Sequence, residues 1–256
     1  MAGRPGACVL CFRRRIGHRS KSRWFAVCRD GATDRRGFPA MSAKSHHFWS
    51  AVLAVGFILV TIGGLLVWDA PVADSLRGGA VGPATAVARF LSRYGDFPFL
   101  LAGGIVCLAV ALRQRRREWA RILTAMILSG VLAGLATNVI KLAAGRVRPR
   151  AENIEMGWYG PRQGAEWVSL RHEFQAFPSS HASSAFGFFF PLFFSRRLIG
   201  SAGLIVSAAV AWSRVQLNAH HVSDVAVGAL VGLLAALLVW EWIVRRGGLA
   251  RWLGPA

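Results

Sequence analysis

The chain has 256 residues, of which 54% are hydrophobic, and it carries a formal net charge of +19. Its hydrophobic residues fall in long runs that contain almost no charge, whereas soluble helices interrupt such runs with polar positions in every turn. This composition excludes an ordinary soluble domain. It also argues against a nucleic-acid partner, because the basic residues lie between apolar runs, where Lys and Arg hold loops on the cytoplasmic side of a membrane.

Residues 1–45 form a separate, strongly basic segment. We expect a disordered tail there that could contact anionic lipid. An alternative is that residues 1–40 do not belong to the functional protein, because Met41 is followed by SAKSHHFW and then by the first apolar run. One CxxC pair, Cys8 and Cys11, lies in this tail, but no second pair follows to complete a zinc site.

The apolar runs predict an all-α protein, an integral membrane bundle of about six transmembrane helices over residues 46–246. A bilayer core of about 30 Å needs roughly 20 apolar residues per helix. The run 181–212 would be about 48 Å long as one helix, and polar residues at 195–197 interrupt it, so we predict two short spans, with Pro191 as a kink in the first. The predicted spans are 48–68, 97–112, 119–143, 181–195, 198–212 and 221–244. Between the first two, VGPATAVARFLSRYG is weakly amphipathic and predicts a short interfacial helix.

The distribution of charge predicts the orientation of this bundle. With the N-terminus in the cytoplasm, the cytoplasmic parts are the basic tail, 113–118, 195–197 and 245–256, all rich in arginine. Residues 247–256 are the predicted short cytoplasmic tail. The opposite face receives 69–96, 145–180 and 213–220, where acidic residues concentrate. This is the positive-inside pattern. We therefore expect an integral protein of a bacterial inner membrane, with both termini cytoplasmic and no obligate protein partner.

Three clusters of polar residues lie at span ends, all on the predicted outer face. They are Lys141-LAAGRV-Arg148-Pro149, Pro178-Ser179-Ser180-His181, and Ser213-Arg214-VQLNA-His220-HVS-Asp224. Two arginines and a lysine can surround a phosphoryl group, and the N–H groups that open a helix favour an anion. Histidines supply acid–base or nucleophilic function near neutral pH. His220 and Asp224 are four residues apart, so on a helix they would share a face.

These three segments resemble the signature of the type 2 phosphatidic acid phosphatase superfamily. That signature has a Lys six residues before Arg-Pro, then Pro-Ser-Gly-His, then Ser-Arg, five residues, His, three residues and Asp. The order, the spacings and every residue but one agree. The motifs cover 141–224, and the six-span layout extends the resemblance to about 45–245.

The resemblance implies a role for each matching position. His220 would be the nucleophile, Asp224 would orient it and balance its charge, and His181 would be the general acid. The phosphate would be bound by Lys141, Arg148, Ser179 and Arg214, with the backbone N–H of Ser180. The resemblance implies no metal and no cofactor.

Ser180 is the one departure, because the family has Gly there. If that Gly adopts a positive φ, a Ser would cost about 1 kcal/mol or more. If the Gly provides only its N–H and small size, Ser is tolerated, and we expect tolerance.

Several alternatives remain open at this point. His221 could also reach Asp224, although the five-residue gap after Arg214 selects His220. Four further arginines could attract anionic headgroups, but a solvated loop is the expected surrounding; they are Arg146, Arg150, Arg162 and Arg171. The substrate could be a polyprenyl pyrophosphate, lipid A, phosphatidylglycerol phosphate or phosphatidic acid. The same site would serve a lipid phosphotransferase, and a non-catalytic binder or transporter of anionic lipids is the rival from another class.

Overall fold

The computed structural model describes residues 55–56, 58–59, 63, 67–77 and 82–245. The predicted basic tail, most of the predicted first span and the C-terminal tail lie outside these residues. The described part is all-α, as predicted, and contains no strand. Its helices are α1 (Asp69–Leu76), α2 (Pro83–Tyr94), α3 (Phe97–Arg113), α4 (Arg117–Ala144), α5 (Ser180–Ser195), α6 (Arg197–Gln216) and α7 (Val222–Trp240). Two short 3-10 segments, Val168–Leu170 and His172–Phe174, precede α5, and a π-helical turn, Glu241–Arg245, follows α7.

Local sequence determines where these helices begin and end. Helix α2 starts with Pro83, whose missing N–H costs nothing at a first helical position. Asp96 caps α3 by accepting a hydrogen bond of 2.8 Å from the N–H of Phe97. Helix α4 ends at Ala144 and is capped by Gly145, which has a left-handed φ of 57°. A Cβ there would also collide with the backbone of Gly160, so this helix end requires glycine.

The apolar helices have the lengths that a membrane protein needs. Three are long and apolar enough to cross a bilayer: Arg117–Ala144, Arg197–Gln216 and Val222–Ile243. Helices α2 and α3, bent by 54° at the break between them, could together form a fourth. The predicted break at 195–197 is confirmed, since α5 ends at Ser195 and α6 begins at Arg197. The predicted total of six spans is not confirmed by the described residues.

Helix α5 lies at the centre and packs against α4, α6 and α7. Small residues make this possible, because a Cβ on Gly187 would lie 2.9 Å from the carbonyl oxygen of Ser129 in α4, and one on Gly232 in α7 would lie 2.5 Å from that of Ser183. Small residues at such crossings let helix backbones approach closely. The N-terminus of α5 is therefore held between the end of α4 and the start of α7.

The segment between α4 and α5 is folded against itself. Val147, Val168 and Phe174 form a small buried cluster, and the N–H of Arg148 donates to the carbonyl of Glu173 at 2.7 Å. This arrangement places the end of the first motif beside the residues that lead into the second.

Candidate active site

The structure brings the three motifs together at one end of the bundle. Lys141, in the last turn of α4, donates a hydrogen bond to the hydroxyl of Ser180 in the first turn of α5. The N–H of Ser179 donates to the carbonyl of Asp224 in the first turn of α7 at 3.0 Å. Segments that are separated by up to 83 positions in the chain thus share one buried site.

Three cationic side chains lie close enough to interact electrostatically: Lys141, Arg148 and Arg214. Arg148 is buried, and its guanidinium is aimed by hydrogen bonds to the carbonyls of His172 at 2.9 Å and Gln175 at 3.3 Å. Burial, together with the charges of Arg150 and Arg214, lowers the pKa of Arg148 to about 10. Like charges that are gathered and partly desolvated in this way favour the binding of an anion.

Two polar atoms in the cluster are buried without a protein partner. Within the described part of the chain, neither the hydroxyl of Ser179 nor the Nε of Arg214 makes a hydrogen bond, although another nitrogen of Arg214 donates to Ser92. Buried polar groups are nearly always paired. The oxygens of a phosphate would satisfy both of these groups.

His220 is buried in the short loop before α7, and its Nδ1 lies 2.6 Å from the carbonyl oxygen of Ala176. A carbonyl oxygen only accepts, so Nδ1 carries the proton and Nε2 of the neutral ring keeps its lone pair. Burial, with the charges of Arg148 and Arg214, lowers the pKa of His220 to about 3, although Asp224 opposes the shift. The ring is therefore neutral near pH 7 and has the protonation state of a nucleophile.

The structure brings His220 close to Asp224, as predicted, but the two residues do not share a helical face. His220 lies outside α7, and its Nδ1 is 3.8 Å from Oδ2 of Asp224. The same Oδ2 accepts from the N–H of His221 at 2.7 Å and lies 3.1 Å from its Nδ1. Asp224 contacts His221 more closely because His221 is the N-cap of α7. The carboxylate of Asp224, three positions later, accepts a hydrogen bond from the N–H of this N-cap residue.

His181 lies in the first turn of α5, at the more exposed side of the site. Its Nε2 is 3.4 Å from Oδ1 of Asp96, and the two side chains are 22% and 44% exposed. It is also near the charges of Lys141, Arg148 and Arg214. A histidine that borders both the cationic cluster and solvent can exchange a proton with a group bound there. No motif indicates Asp96, because it lies in a different segment of the chain from all three.

Comparison with known proteins assigns the family of this arrangement. The family model of the PAP2 superfamily matches residues 118–247, a range that contains all three motifs. The chain belongs to the PAP2 superfamily. This confirms the resemblance that the motifs indicated.

The relatives of this PAP2 protein include membrane lipid phosphatases. A lipid A 1-phosphatase of Rhizobium johnstonii is 28% identical over 213 residues, which cover 78% of this chain and 82% of that protein. A decaprenylphosphoryl-5-phosphoribose phosphatase of Mycobacterium tuberculosis is 30% identical over 161 residues, covering 60% and 77%. The crystal structure of a transmembrane PAP2-type phosphatidylglycerolphosphate phosphatase from Bacillus subtilis is similar in fold, with a TM-score of 0.50, 19% identity and coverage of 74% and 92%. This PAP2 protein therefore has the apolar helices and the fold of an integral membrane protein, and these relatives are lipid phosphatases.

Ser180, the one departure from the PAP2 signature, sits in an ordinary helical position. It is the first residue of α5 and is not among the residues with positive φ. The backbone strain that Gly would avoid is absent. Its hydroxyl instead accepts the hydrogen bond from Lys141, which a glycine could not do.

Arg146 corrects one further expectation about the PAP2 site. A solvated surrounding was expected for it, as for Arg150, Arg162 and Arg171, and those three are indeed exposed. Arg146 is instead buried and contacts Asp224 at 2.6 Å and Asp69 at 2.7 Å. The only signal for it in the sequence is its position between Lys141 and Arg148.

Proposed function

We propose that this protein removes a phosphate from a membrane lipid through a phosphohistidine on His220, without a metal ion. The observation that carries the proposal is the pair of buried, unpartnered donors in the described site, Ser179 Oγ and Arg214 Nε. They lie in a cluster that also holds Lys141 and Arg148, beside a histidine whose Nε2 is free to attack. The cluster supplies the positive charge that a phosphoryl transition state needs.

In the first step, the lone pair on Nε2 of His220 attacks phosphorus. The bond between phosphorus and the lipid oxygen breaks, and His181 gives its proton to that oxygen, so the lipid leaves as an alcohol or as a phosphate one group shorter. Lys141, Arg148, Arg214, Ser179 and the N–H of Ser180 bind the phosphoryl oxygens.

In the second step, water attacks the phosphohistidine. His181, now neutral, accepts a proton from the water, the bond between nitrogen and phosphorus breaks, and inorganic phosphate leaves. Nε2 of His220 regains its lone pair, and the protonation of His181 is restored for the next cycle. Asp224 remains charged throughout and stabilises positive charge on the His220 ring.

The proposed location is a bacterial inner membrane, with the termini in the cytoplasm and the site on the outer face. Helices α4 to α7 support this orientation, because each has one end at the site. At the other ends of α4, α5 and α6 lie the arginine-rich stretches 113–117 and 195–197, which the positive-inside rule assigns to the cytoplasm. A lipid could then keep its chains in the bilayer while its phosphate reaches His220.

A cavity next to the site favours a lipid with a large polar headgroup. It has a volume of about 930 Å³ and lies between α1, α2, the loop after Pro149 and the end of α6. Two of its lining residues are close in sequence to the motifs. Arg150 directly follows Arg148-Pro149, and Asn218 is two residues before His220. The charged side chains that line it are Arg77, Arg89, Arg150, Glu152 and Glu155. Such a space fits a sugar headgroup better than the bare phosphate of phosphatidic acid.

The test is phosphate release by the protein purified in detergent, offered lipid A, a polyprenyl pyrophosphate, phosphatidylglycerol phosphate and phosphatidic acid. We expect release without any added acceptor, which a phosphotransferase would need. Release should persist in EDTA and be inhibited by vanadate, which mimics a five-coordinate phosphoryl group. Activity that disappears in EDTA would contradict the proposal.

The phosphoryl acceptor can be identified with a radiolabelled substrate and a rapid quench. We expect an acid-labile, base-stable label on the wild-type protein and on His221→Ala, whose ring is the matched neighbour. The variant His220→Ala should lose the label and reduce kcat by about 10³-fold or more. A label that survives in His220→Ala would assign the nucleophile elsewhere, and full phosphate release by His220→Ala would favour a different mechanism altogether.

A further inference from the structure

Arg146 connects two buried carboxylates that come from different parts of the chain. Its Nη1 donates to Oδ1 of Asp224 at 2.6 Å, and its Nη2 donates to Oδ2 of Asp69 at 2.7 Å. Each pair is separated by more than 75 positions in the sequence. The side chain of Asp224 is fully buried, and those of Arg146 and Asp69 are 7% and 6% exposed. The guanidinium also stacks at 4.7 Å from the ring of Trp158.

Ser223, next to Asp224, completes the same network. Its N–H donates to Oδ1 of Asp69 at 3.0 Å, and its hydroxyl donates to Oδ2 of Asp69 at 2.5 Å. That hydroxyl also accepts from Nη1 of Arg146 at 2.7 Å. Asp69, the first residue of α1, therefore binds one of the N–H groups at the start of α7 that the helix itself leaves unpaired.

The network fixes the orientation of the Asp224 carboxylate, which lies beside His220 and His221. Both oxygens of Asp224 are occupied, Oδ1 by Arg146 and Oδ2 by the backbone of His221. The side chain thus has one orientation, with Oδ2 3.8 Å from Nδ1 of His220. Two carboxylates and one guanidinium leave one excess negative charge in a buried place, where it stabilises positive charge on a nearby ring.

We infer that Arg146 and Asp69 are positioning residues that act through Asp224 to hold the turn of His220 and His221 ready for phosphoryl transfer. Arg146 occupies a position of the first motif that the family signature leaves open, and Asp69 lies in a helix that precedes all three motifs. The inference rests on the proposed function, because its measure is the rate of that reaction. Both residues contact Asp224 or Ser223 rather than the cationic cluster, so they should affect kcat more than KM.

The first experiment compares steady-state kinetics of Arg146→Gln, Arg146→Lys and Asp69→Asn with wild type on the best lipid phosphate. We expect kcat to fall about 10- to 100-fold in Arg146→Gln and Asp69→Asn, the scale of a small misplacement of reacting groups, with KM changed less than about threefold. Arg146→Lys keeps the charge but not the fork that spans two carboxylates, so it should rescue only part of the loss.

Two control variants separate this role from a general loss of charge or of packing. Asp74→Asn removes a carboxylate from the same helix, where it pairs with Arg77 at 3.3 Å on the surface. Arg162→Gln removes an arginine that stacks on Trp167 at 5.0 Å, much as Arg146 stacks on Trp158. Both controls should keep wild-type kcat.

The pH profile gives a readout that a purely structural role would not move. His220 is faced by Asp224 from α7, by Arg214 from α6 and by Arg148 from the loop after α4, with Arg146 behind Asp224. Arg146→Gln removes a positive charge and should raise the pKa of His220, so the acid limb of kcat/KM moves up by about 0.5 pH unit or more. Asp69→Asn removes a negative charge and should move that limb in the opposite direction.

These experiments distinguish a failure of the positioning role from a failure of the proposed function. An inactive wild-type protein would overturn the proposed function and this inference together. An active wild type with unchanged kcat in Arg146→Gln and Asp69→Asn would overturn the positioning role alone. If those variants do not fold in detergent, Ser223→Ala removes only the shared hydroxyl, and a kcat equal to wild type in that folded variant would overturn the inference as well.

Discussion

The imidazole of His220 is held by the carbonyl of Ala176, with 2.6 Å between Nδ1 and the oxygen. The N–H of Ala176 in turn donates to the carbonyl of Arg146 at 3.0 Å, so the segment that aims the ring is fixed to the loop that carries the first motif. One backbone oxygen determines the tautomer and leaves the lone pair on Nε2, the nitrogen that the proposed mechanism uses. The family signature contains no residue that orients the His220 ring in this way. The contact is made by a backbone carbonyl, which every residue type has, so no particular side chain is required at position 176.

Burial of His220 predicts a specific dependence of stability on pH. Its pKa is about 3 in the folded protein and about 6.5 in an unfolded chain. Between these values the unfolded state binds the proton more readily, so the folded state loses stability as the pH falls from about 6.5 towards 3, by up to about 1.4 kcal/mol per pH unit. Above pH 6.5 the contribution is complete.

The check is the thermal midpoint in detergent from pH 7.5 to 4, for wild type and His220→Gln. The variant lacks the titration, so the wild-type midpoint should fall relative to that of the variant as the solution is acidified. Parallel curves for the two proteins would show that the folded and unfolded states protonate His220 alike, contrary to the buried environment.

Ser180 should matter through its hydroxyl and not through its backbone. We expect Ser180→Ala and Ser180→Gly to lower kcat/KM to a similar extent, up to about tenfold, because each removes the acceptor that orients Lys141. Ser180→Thr keeps a hydroxyl and should stay closer to wild type. Faster turnover by Ser180→Gly alone, with Ser180→Ala impaired, would mean that the backbone at this position requires glycine after all.

Arg150 provides the test of the cavity. Arg150→Gln should raise KM about 5- to 10-fold for a lipid phosphate with a sugar headgroup, the loss of roughly one charge-assisted hydrogen bond. The change for phosphatidic acid, whose headgroup does not fill the space, should be much smaller. Arg162→Gln, an exposed arginine that does not line the cavity, is the matched control. Equal changes for both substrates would leave the cavity without a role in headgroup selection.

The helices and the three motifs could be predicted because each rests on local information. Long apolar runs determine α3, α4 and α7, and the arginines after Ser195 determine the break between α5 and α6. The convergence of Lys141 with Ser180 follows from the predicted topology, which places the end of α4 and the start of α5 on the same side of the bundle. The closer contact of Asp224 with His221 than with His220 could not be predicted from local sequence. Spacing alone does not tell whether His220 lies inside α7 or before it.

Arg146 and Asp69 could not be predicted for a different physical reason. A charged residue in a loop is usually solvated, and only the tertiary fold decides whether a carboxylate 77 positions away will meet it. The three residues of such a network, one arginine and two carboxylates, follow no periodic pattern and no fixed spacing in the sequence. Arg146 stands inside the first motif, but one of the two carboxylates that it contacts, Asp69, lies in α1, outside every motif.

Close packing of α5 against α7 predicts that Gly232 cannot be enlarged. A Cβ at this position would lie 2.5 Å from the carbonyl oxygen of Ser183 and 2.7 Å from the nitrogen of Gly187, both backbone atoms that cannot rotate away. Gly232→Ala should therefore separate the two helices and destabilise the protein by about 1–3 kcal/mol. Because α5 carries His181 and α7 follows His220, activity should fall together with the thermal midpoint.

Gly103→Ala is the control for this prediction. A Cβ on that exposed helical glycine meets nothing within 4 Å, so the substitution should maintain or raise the thermal midpoint. Equal midpoints for the two variants would show that the helices do not cross as closely as the structure has them.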